Sequence, residues 1–311
     1  MIREYDQPAL LSRLEHRHEN VLIDHVVMTV MPDHTVGECR LCVSESDSRS
    51  IFFQPTSQGQ AILSAVYMEI AALASIVCTD YNRDHLIVFA SISQFVVHRS
   101  ALIGDMIVST VTKGKEKAGF IRCHAQLRTG EYLLATGQLM AYVIDPSKLG
   151  DGAPSKQGTC PDLSDHAPVP REWFTRQDPM IWVDAVRHDD PAAGVFVTSY
   201  QYPDDHPFTK GHFPGKPIMM GVMQIQAIED SVVAWAHRHG KASGHVRFDA
   251  EIIREADGAL TCECRGMAVA LHATANGVMT QLGTIDKVAF REPVSPNTPL
   301  LMVLKSIQWA C

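Results

Sequence analysis

The chain has 311 residues, 46% of them hydrophobic and 20% charged, which is room for two domains of ~150 residues and excludes a collagen-like, coiled-coil or wholly disordered chain. Its 27 Lys and Arg against 35 Asp and Glu give a formal charge of −8, a balance that argues against broad phosphate-backbone binding, so no nucleic-acid partner is expected. The opening Met1-Ile2-Arg3-Glu4-Tyr5-Asp6 leads into no apolar leader, and no run approaches the ~18 apolar residues of a membrane span; a soluble, cytoplasmic protein without a membrane partner is expected.

In chain order come the segment Asn20 to Val27 and, after it, the strand-like stretch Thr35 to Val43. The second carries Cys39 and Cys42, which point to opposite faces of a strand and so read as packing thiols rather than metal ligands. Eight cysteines in all are too sparse for a disulfide scaffold. From Ala61 to Val77, Ile62, Val66, Ile70, Leu73 and Val77 recur at helical spacing. Strands follow at Ile92 to Arg99, at Met106 to Val111 after the Gly104-Asp105 turn, at Phe120 to Leu127 and at Tyr132 to Val143. Pro146 to Pro170 is rich in Gly, Pro, Ser and Asp and has the composition of a linker.

Beyond it the pattern repeats. Pro179 to Val186, Gly194 to Tyr202, the apolar helix Met219 to Ala236, Ile285 to Glu292 and Leu300 to Leu304 echo the first half in order. The domains expected are 1–148 and 171–311, joined by a linker at 149–170. The second half carries an insertion at about 240–283 and stops before any equivalent of Phe120 to Val143. Strand-like Leu260 to Leu271 and Gly277 to Leu282 within the insertion are expected to fill the vacated sheet positions. Each half has one long apolar helix among strands with no βαβ alternation, so each is an α+β unit whose helix is wrapped by an antiparallel sheet.

The most specific segment is Gly211-His212-Phe213-Pro214-Gly215-Lys216-Pro217-Ile218-Met219-Met220-Gly221, leading into a helix with Met223 and Gln226. It resembles the (3R)-hydroxyacyl-[acyl carrier protein] dehydratases of the hot-dog fold, with their Gly-His-Phe-Pro-Gly loop, nearby Pro, Met-Pro-Gly helix start and a carboxylate farther along the helix. The flanks Trp182-Val183-Asp184 and Asp286-Lys287 through Pro296 agree as well. The first half matches more weakly, so the resemblance covers nearly the whole chain as a double hot-dog, packed as a pseudo-dimer.

That resemblance implies a hydro-lyase that removes water from a 3-hydroxyacyl thioester to give a trans-2-enoyl product, in fatty acid or polyketide biosynthesis. Elimination needs a base, an acid and a donor for the charge growing on the thioester oxygen. His212 would be the base, and the Gly221 N–H at the helix N-terminus would be the donor. The family's acid position holds Gln226, which cannot serve. In the dimeric family the histidine and carboxylate come from different subunits, and the first half supplies the complement: Glu69 in its helix, with Thr56 at the histidine position. His212 with Glu69 would make one working site, and Thr56 with Gln226 a dead one. Asp230 is a reserve acid if it is not a surface residue. Phe213, Pro214, Gly215, Met220, Met223, Gln226 and Thr56 would contact substrate. The partner would be acyl carrier protein or a CoA thioester, whose phosphopantetheine belongs to the substrate; no metal or other cofactor is implied, and the protein could form a homodimer of pseudo-dimers. The tandem dehydratase domains of polyketide synthases place histidine and acid in the opposite halves. Thioesterase or enoyl isomerase activity, or a non-catalytic acyl-carrier-binding subunit, are the alternatives.

Overall fold

The computed structural model describes residues 1–79, 86–117, 119–144 and 155–310; residues 149–154 of the expected linker lie outside the described residues. The chain forms two compact units. Unit 1 is Met1–Phe53, Gln58–Ala153 and the short segment Lys210–Lys216, and unit 2 is Gln54–Ser57, Pro154–Thr209 and Pro217–Cys311. The boundaries therefore differ from a plain division into 1–148 and 171–311: the loop bearing His212 belongs to unit 1, although it comes from the second half of the sequence.

Unit 1 begins with β1 (Ile2–Tyr5) and α1 (Gln7–Arg13). The Asp6 carboxylate accepts the Ala9 N–H and caps α1, whose second residue is proline. There follow β2 (His25–Val30), β3 (Thr35–Cys42) and β5 (Gly59–Ile62), then α2 (Val66–Cys78), β6 (Leu86–Val97), β7 (Met106–Lys117), β8 (Phe120–Thr129) and β9 (Tyr132–Ile144); the short β4 (Phe53–Thr56) lies between β3 and β5 in sequence, but from Gln54 on it belongs to unit 2. Its strands lie in the order β1-β2-β3-β7-β8-β9-β6. In β8, Ile121, Cys123, Ala125 and Leu127 are buried while the residues between them are mostly exposed, the alternation of a sheet with one wet face.

α2 starts later than its spacing predicts. Ala61 and Ile62 end a strand instead, with the Ile62 N–H donated to the Ala101 carbonyl. From Val66 on, every residue of α2 but Ile76 is buried. A helix apolar all round cannot face water, and the sheet accommodates it closely. A Cβ on Gly37 of β3 would lie 2.0 Å from the Cys78 sulfur, so only glycine lets the end of α2 approach that strand. The Tyr67 hydroxyl accepts the Ala101 N–H at 2.6 Å and donates to the Arg99 carbonyl at 3.2 Å, tying the first turn to the chain after β6.

Unit 2 contains β10 (Ala167–Pro168), β11 (Ala185–Asp190), β12 (Val195–Gln201), α3 (Gly221–Arg238), β13 (Gly244–Arg254), β14 (Leu260–Thr274), β15 (Gly277–Phe290) and β16 (Pro299–Ala310). The expected linker does not hang free from Lys156 onward: the Lys156 carbonyl accepts the Leu260 N–H, and its ammonium pairs with Glu263 at 2.8 Å. The strand order is β10-β11-β12-β16-β13-β14-β15. Laid against unit 1, β16 takes the place of β7, β13 that of β8, β14 that of β9 and β15 that of β6. The same sheet is thus built with a permuted connection: the insertion supplies β13 and β14 before, rather than after, the two strands they flank, whereas Gly277 to Leu282 is part of β15, the counterpart of β6, and fills no vacated position.

The internal repeat extends to hydrogen bonds. In unit 1 Asp24 donates its N–H to Arg40 at 2.7 Å and accepts the Cys42 N–H at 2.8 Å; in unit 2 Asp184 donates to Ser199 at 2.7 Å and accepts from Gln201 at 3.0 Å. Each aspartate pins the entry of its first sheet strand to the second. Among the described residues, no helix is long and apolar enough to cross a membrane.

Candidate active site

Glu69 lies in the first turn of α2 and is 7% exposed. A carboxylate so placed among Val66, Met68, Ile70 and Leu73 needs partners, because an uncompensated buried charge is costly. Two histidines of unit 1 supply them. His16 Nε2 is 3.4 Å from Glu69 Oε1, and one donor atom from each of His16, Glu69 and His212 lies within 4.8 Å of the others. Burial pushes the Glu69 carboxyl up, but the hydrogen bond from His16 and the charges of His16 and His212 prevail, so it ends below the usual carboxylate range.

His212 is positioned by main-chain packing. The Gly211 carbonyl accepts the Arg17 N–H at 3.0 Å, and a Cβ on Gly211 would fall 2.1 Å from the Arg17 oxygen and 2.2 Å from Asn20 Nδ2. The glycine before the histidine therefore exists to let the loop seat against residues 17–20. The turn closes through reciprocal bonds between Phe213 and Lys216, with Gly215 at φ +76°, and the His212–Phe213 peptide is cis. The Phe213 ring stacks on His212 at 4.1 Å between centroids and meets the His16 ring edge-on at 4.8 Å. The two imidazoles lie 5.0 Å apart.

His16 is the site residue that sequence reasoning missed. It sits in the irregular stretch between α1 and the Asn20–Asp24 segment, where no periodicity marks it, and is 5% exposed. The repeat did hold a signal. Aligning Asp24 with Asp184 places His16 opposite Arg176, and Arg176 forms a buried ion pair with Asp230 of α3. Both units thus send a basic side chain from this stretch onto the central helix.

The other expected site residues are distributed as follows. Gly221 is the first residue of α3, and a Cβ there would lie 2.9 Å from the Phe290 ring, so packing calls for glycine. Pro214 and Gly215 are exposed at the tip of the turn and Phe213 is half-buried, whereas Met220 and Met223 are fully buried. Thr56 ends β4 and is half-buried. Gln226 is 1% exposed and donates to Asp230 at 3.2 Å. Asp230 is neither a surface residue nor a spare acid: it is fully buried, pairs with Arg176 and accepts the Trp182 N–H at 2.7 Å, so both oxygens are engaged. The His16, Glu69 and His212 donors are of the type that binds zinc, but they spread over up to 4.8 Å, wider than the ~3.3 Å separating two ligands of a tetrahedral ion at ~2.0–2.1 Å. We assign no metal ligand among them.

Residues 189–265 match the family model of the ApeI-like dehydratases, described as ApeI dehydratase. Among solved structures, a dehydratase domain of a mycocerosic acid synthase-like polyketide synthase aligns at 13% identity, covering 94% of this chain and 96% of that one, with a TM-score of 0.53. The dehydratase domain of the CurK module of curacin polyketide synthase covers 91% and 96% at 7% identity and a TM-score of 0.49. The dehydratase heterocomplex ApeI:P from Xenorhabdus doucetiae covers 45% and 93% at 18% identity and a TM-score of 0.38. The chain thus has the double hot-dog fold of a polyketide synthase dehydratase domain, and its second half carries a stretch similar to the ApeI-like dehydratases.

Proposed function

We propose that the protein dehydrates a 3-hydroxyacyl thioester, carried on acyl carrier protein, to the trans-2-enoyl thioester in fatty acid or polyketide biosynthesis. The observation that carries this reading is the buried meeting of the His212 imidazole with the Glu69 carboxylate in unit 1. His212 takes the α-proton, the Cα–Cβ double bond forms, and the Cβ–O bond breaks as the hydroxyl leaves with a proton delivered through Glu69. The growing negative charge on the thioester oxygen needs a hydrogen-bond donor, and the resemblance gives that part to the N–H of Gly221, which in unit 2 heads α3. Phe213, stacked on the base, forms with Pro214 and Gly215 the wall beside it. Thr56 and Gln226 stand at the positions of a second, non-catalytic half-site. The chemistry requires no metal or redox cofactor.

The test is to incubate the protein with 3-hydroxyacyl carrier-protein thioesters of several chain lengths and follow loss of one water by mass spectrometry. His212→Ala and Glu69→Gln are each expected to abolish it. Tight binding of the acyl carrier without turnover by the unmutated protein would instead make this a binding subunit, and release of free acid would make it a thioesterase.

A further inference from the structure

The dehydration reading leaves one problem open. The departing hydroxyl needs a proton, yet Glu69 is surrounded by groups that keep it ionised. We propose that His16 holds that proton and that His16, Glu69 and His212 form a closed proton circuit, an inference that rests on the dehydration reading.

Three observations support it. His16 Nε2 faces Glu69 Oε1 at 3.4 Å, close enough to pass a proton to the carboxylate with a small approach of the two groups. The ring is 5% exposed and held edge-on against Phe213, so bulk water does not compete for the proton. Its Nδ1 is buried with no hydrogen-bond partner among the described residues, so the proton the ring can share with the protein is the one that Nε2 directs at Glu69. The charged groups around the ring are Glu69 from α2, His212 from the loop, and the neighbouring Arg17, whose guanidinium is turned onto the Leu14 and His16 carbonyls at 2.6 Å.

The proton balance closes. In the forward step the α-proton goes to His212, the C–H electron pair becomes the double bond, and the Cβ–O pair leaves on oxygen. The proton on His16 passes through the Glu69 carboxylate to that oxygen, releasing water. His212 then carries one proton too many and His16 one too few. With the rings 5.0 Å apart, transfer from His212 back to the His16–Glu69 pair restores the starting state with no net proton taken from solvent. His16 acts through Glu69 and is a positioning and proton-holding residue.

The test compares His16→Gln, which keeps a donor toward Glu69 but cannot carry the proton, with the unmutated protein in two assays. The first is dehydration against pH. The variant is expected to lose ~10²-fold or more in kcat with little change in KM. Its alkaline limb is expected to move, because the proton then has to sit on Glu69, whose carboxyl keeps the burial that raises it and loses the His16 hydrogen bond and charge that lower it. The second is deuterium exchange at the α-carbon of a saturated acyl thioester, which needs a base but no acid. There His16→Gln is expected to match the unmutated protein, and His212→Ala to be inert. Equal losses in both assays, or an unmoved alkaline limb, would reduce His16 to a structural role and overturn the proposal. Failure of the unmutated protein to exchange or dehydrate would overturn the dehydration reading and the circuit with it.

Discussion

Replacing Gly211 by alanine tests how His212 is positioned. The added Cβ would stand 2.1 Å from the Arg17 oxygen and 2.2 Å from Asn20 Nδ2, so loop or partner must retreat by more than ~1 Å to reach ordinary van der Waals contact. Neither is a free chain end: Asn20 is fully buried, and the Arg17 N–H bonds the Gly211 carbonyl itself at 3.0 Å. Overpacking costs about 1–3 kcal/mol and the weakened main-chain bond about 1 kcal/mol, together about 2–4 kcal/mol. At ~2–4 °C per kcal/mol for a unit of this size, the melting temperature should fall by roughly 4–16 °C. Moving the base by ~1 Å should also lower dehydration by ~10²-fold. Gly215→Ala is the control. Its Cβ would meet nothing within 4 Å, leaving only the strain of φ +76°, about 1–2 kcal/mol. Thermal melts and single-turnover dehydration read both variants. If Gly211→Ala melts with the unmutated protein, or Gly215→Ala is the more damaging, the seating of the loop on residues 17–20 is refuted.

Glu229 of α3 is 1% exposed, and burial raises its carboxyl to about 7. A folded value above the unfolded one gives stability that is fully present below the ordinary carboxylate value and is lost as pH rises through about 7, on the order of 3 kcal/mol in all. Glu229→Gln should remove this dependence, so melts at pH 5 and pH 8.5 should differ less in the variant; equal slopes would refute it. Asp230→Ala should destabilise by about 3–5 kcal/mol, since it strands the Arg176 guanidinium and the Trp182 N–H, as denaturant titration would measure. Gln226→Glu, which restores the family's carboxylate, should not create a second acid: it sets a negative charge beside buried Asp230, where Gln226 now donates at 3.2 Å. A loss of about 1–3 kcal/mol with no gain in dehydration is expected, read by melts and turnover.

Much was already fixed by local chemistry. The Gly-His-Phe-Pro-Gly loop, the two apolar helices and the alternating strands are short-range patterns, and they located His212, Glu69 and Gly221. The asymmetry between Gln226 and Glu69 could also be read without coordinates, because it only compares residue types at repeated positions. The start of α2 was misjudged because Ala61 and Ile62 are apolar in either conformation, and it is pairing with Ala101 that makes them a strand.

The tertiary structure decided what depends on distant segments meeting. Which sheet positions the insertion fills is a matter of strand pairing, and pairing is set by hydrogen bonds between residues far apart in the chain. Asp230 looks like a surface charge by helical spacing, until Arg176 and the Trp182 N–H, some fifty residues earlier, converge on it. His16 has no motif of its own in an irregular stretch, and its role arises only where α2 and the 210–216 loop bring Glu69 and His212 to it. The sequence determined the chemical groups of the site; the fold determined that a second imidazole stands beside the carboxylate, and so where its proton can come from.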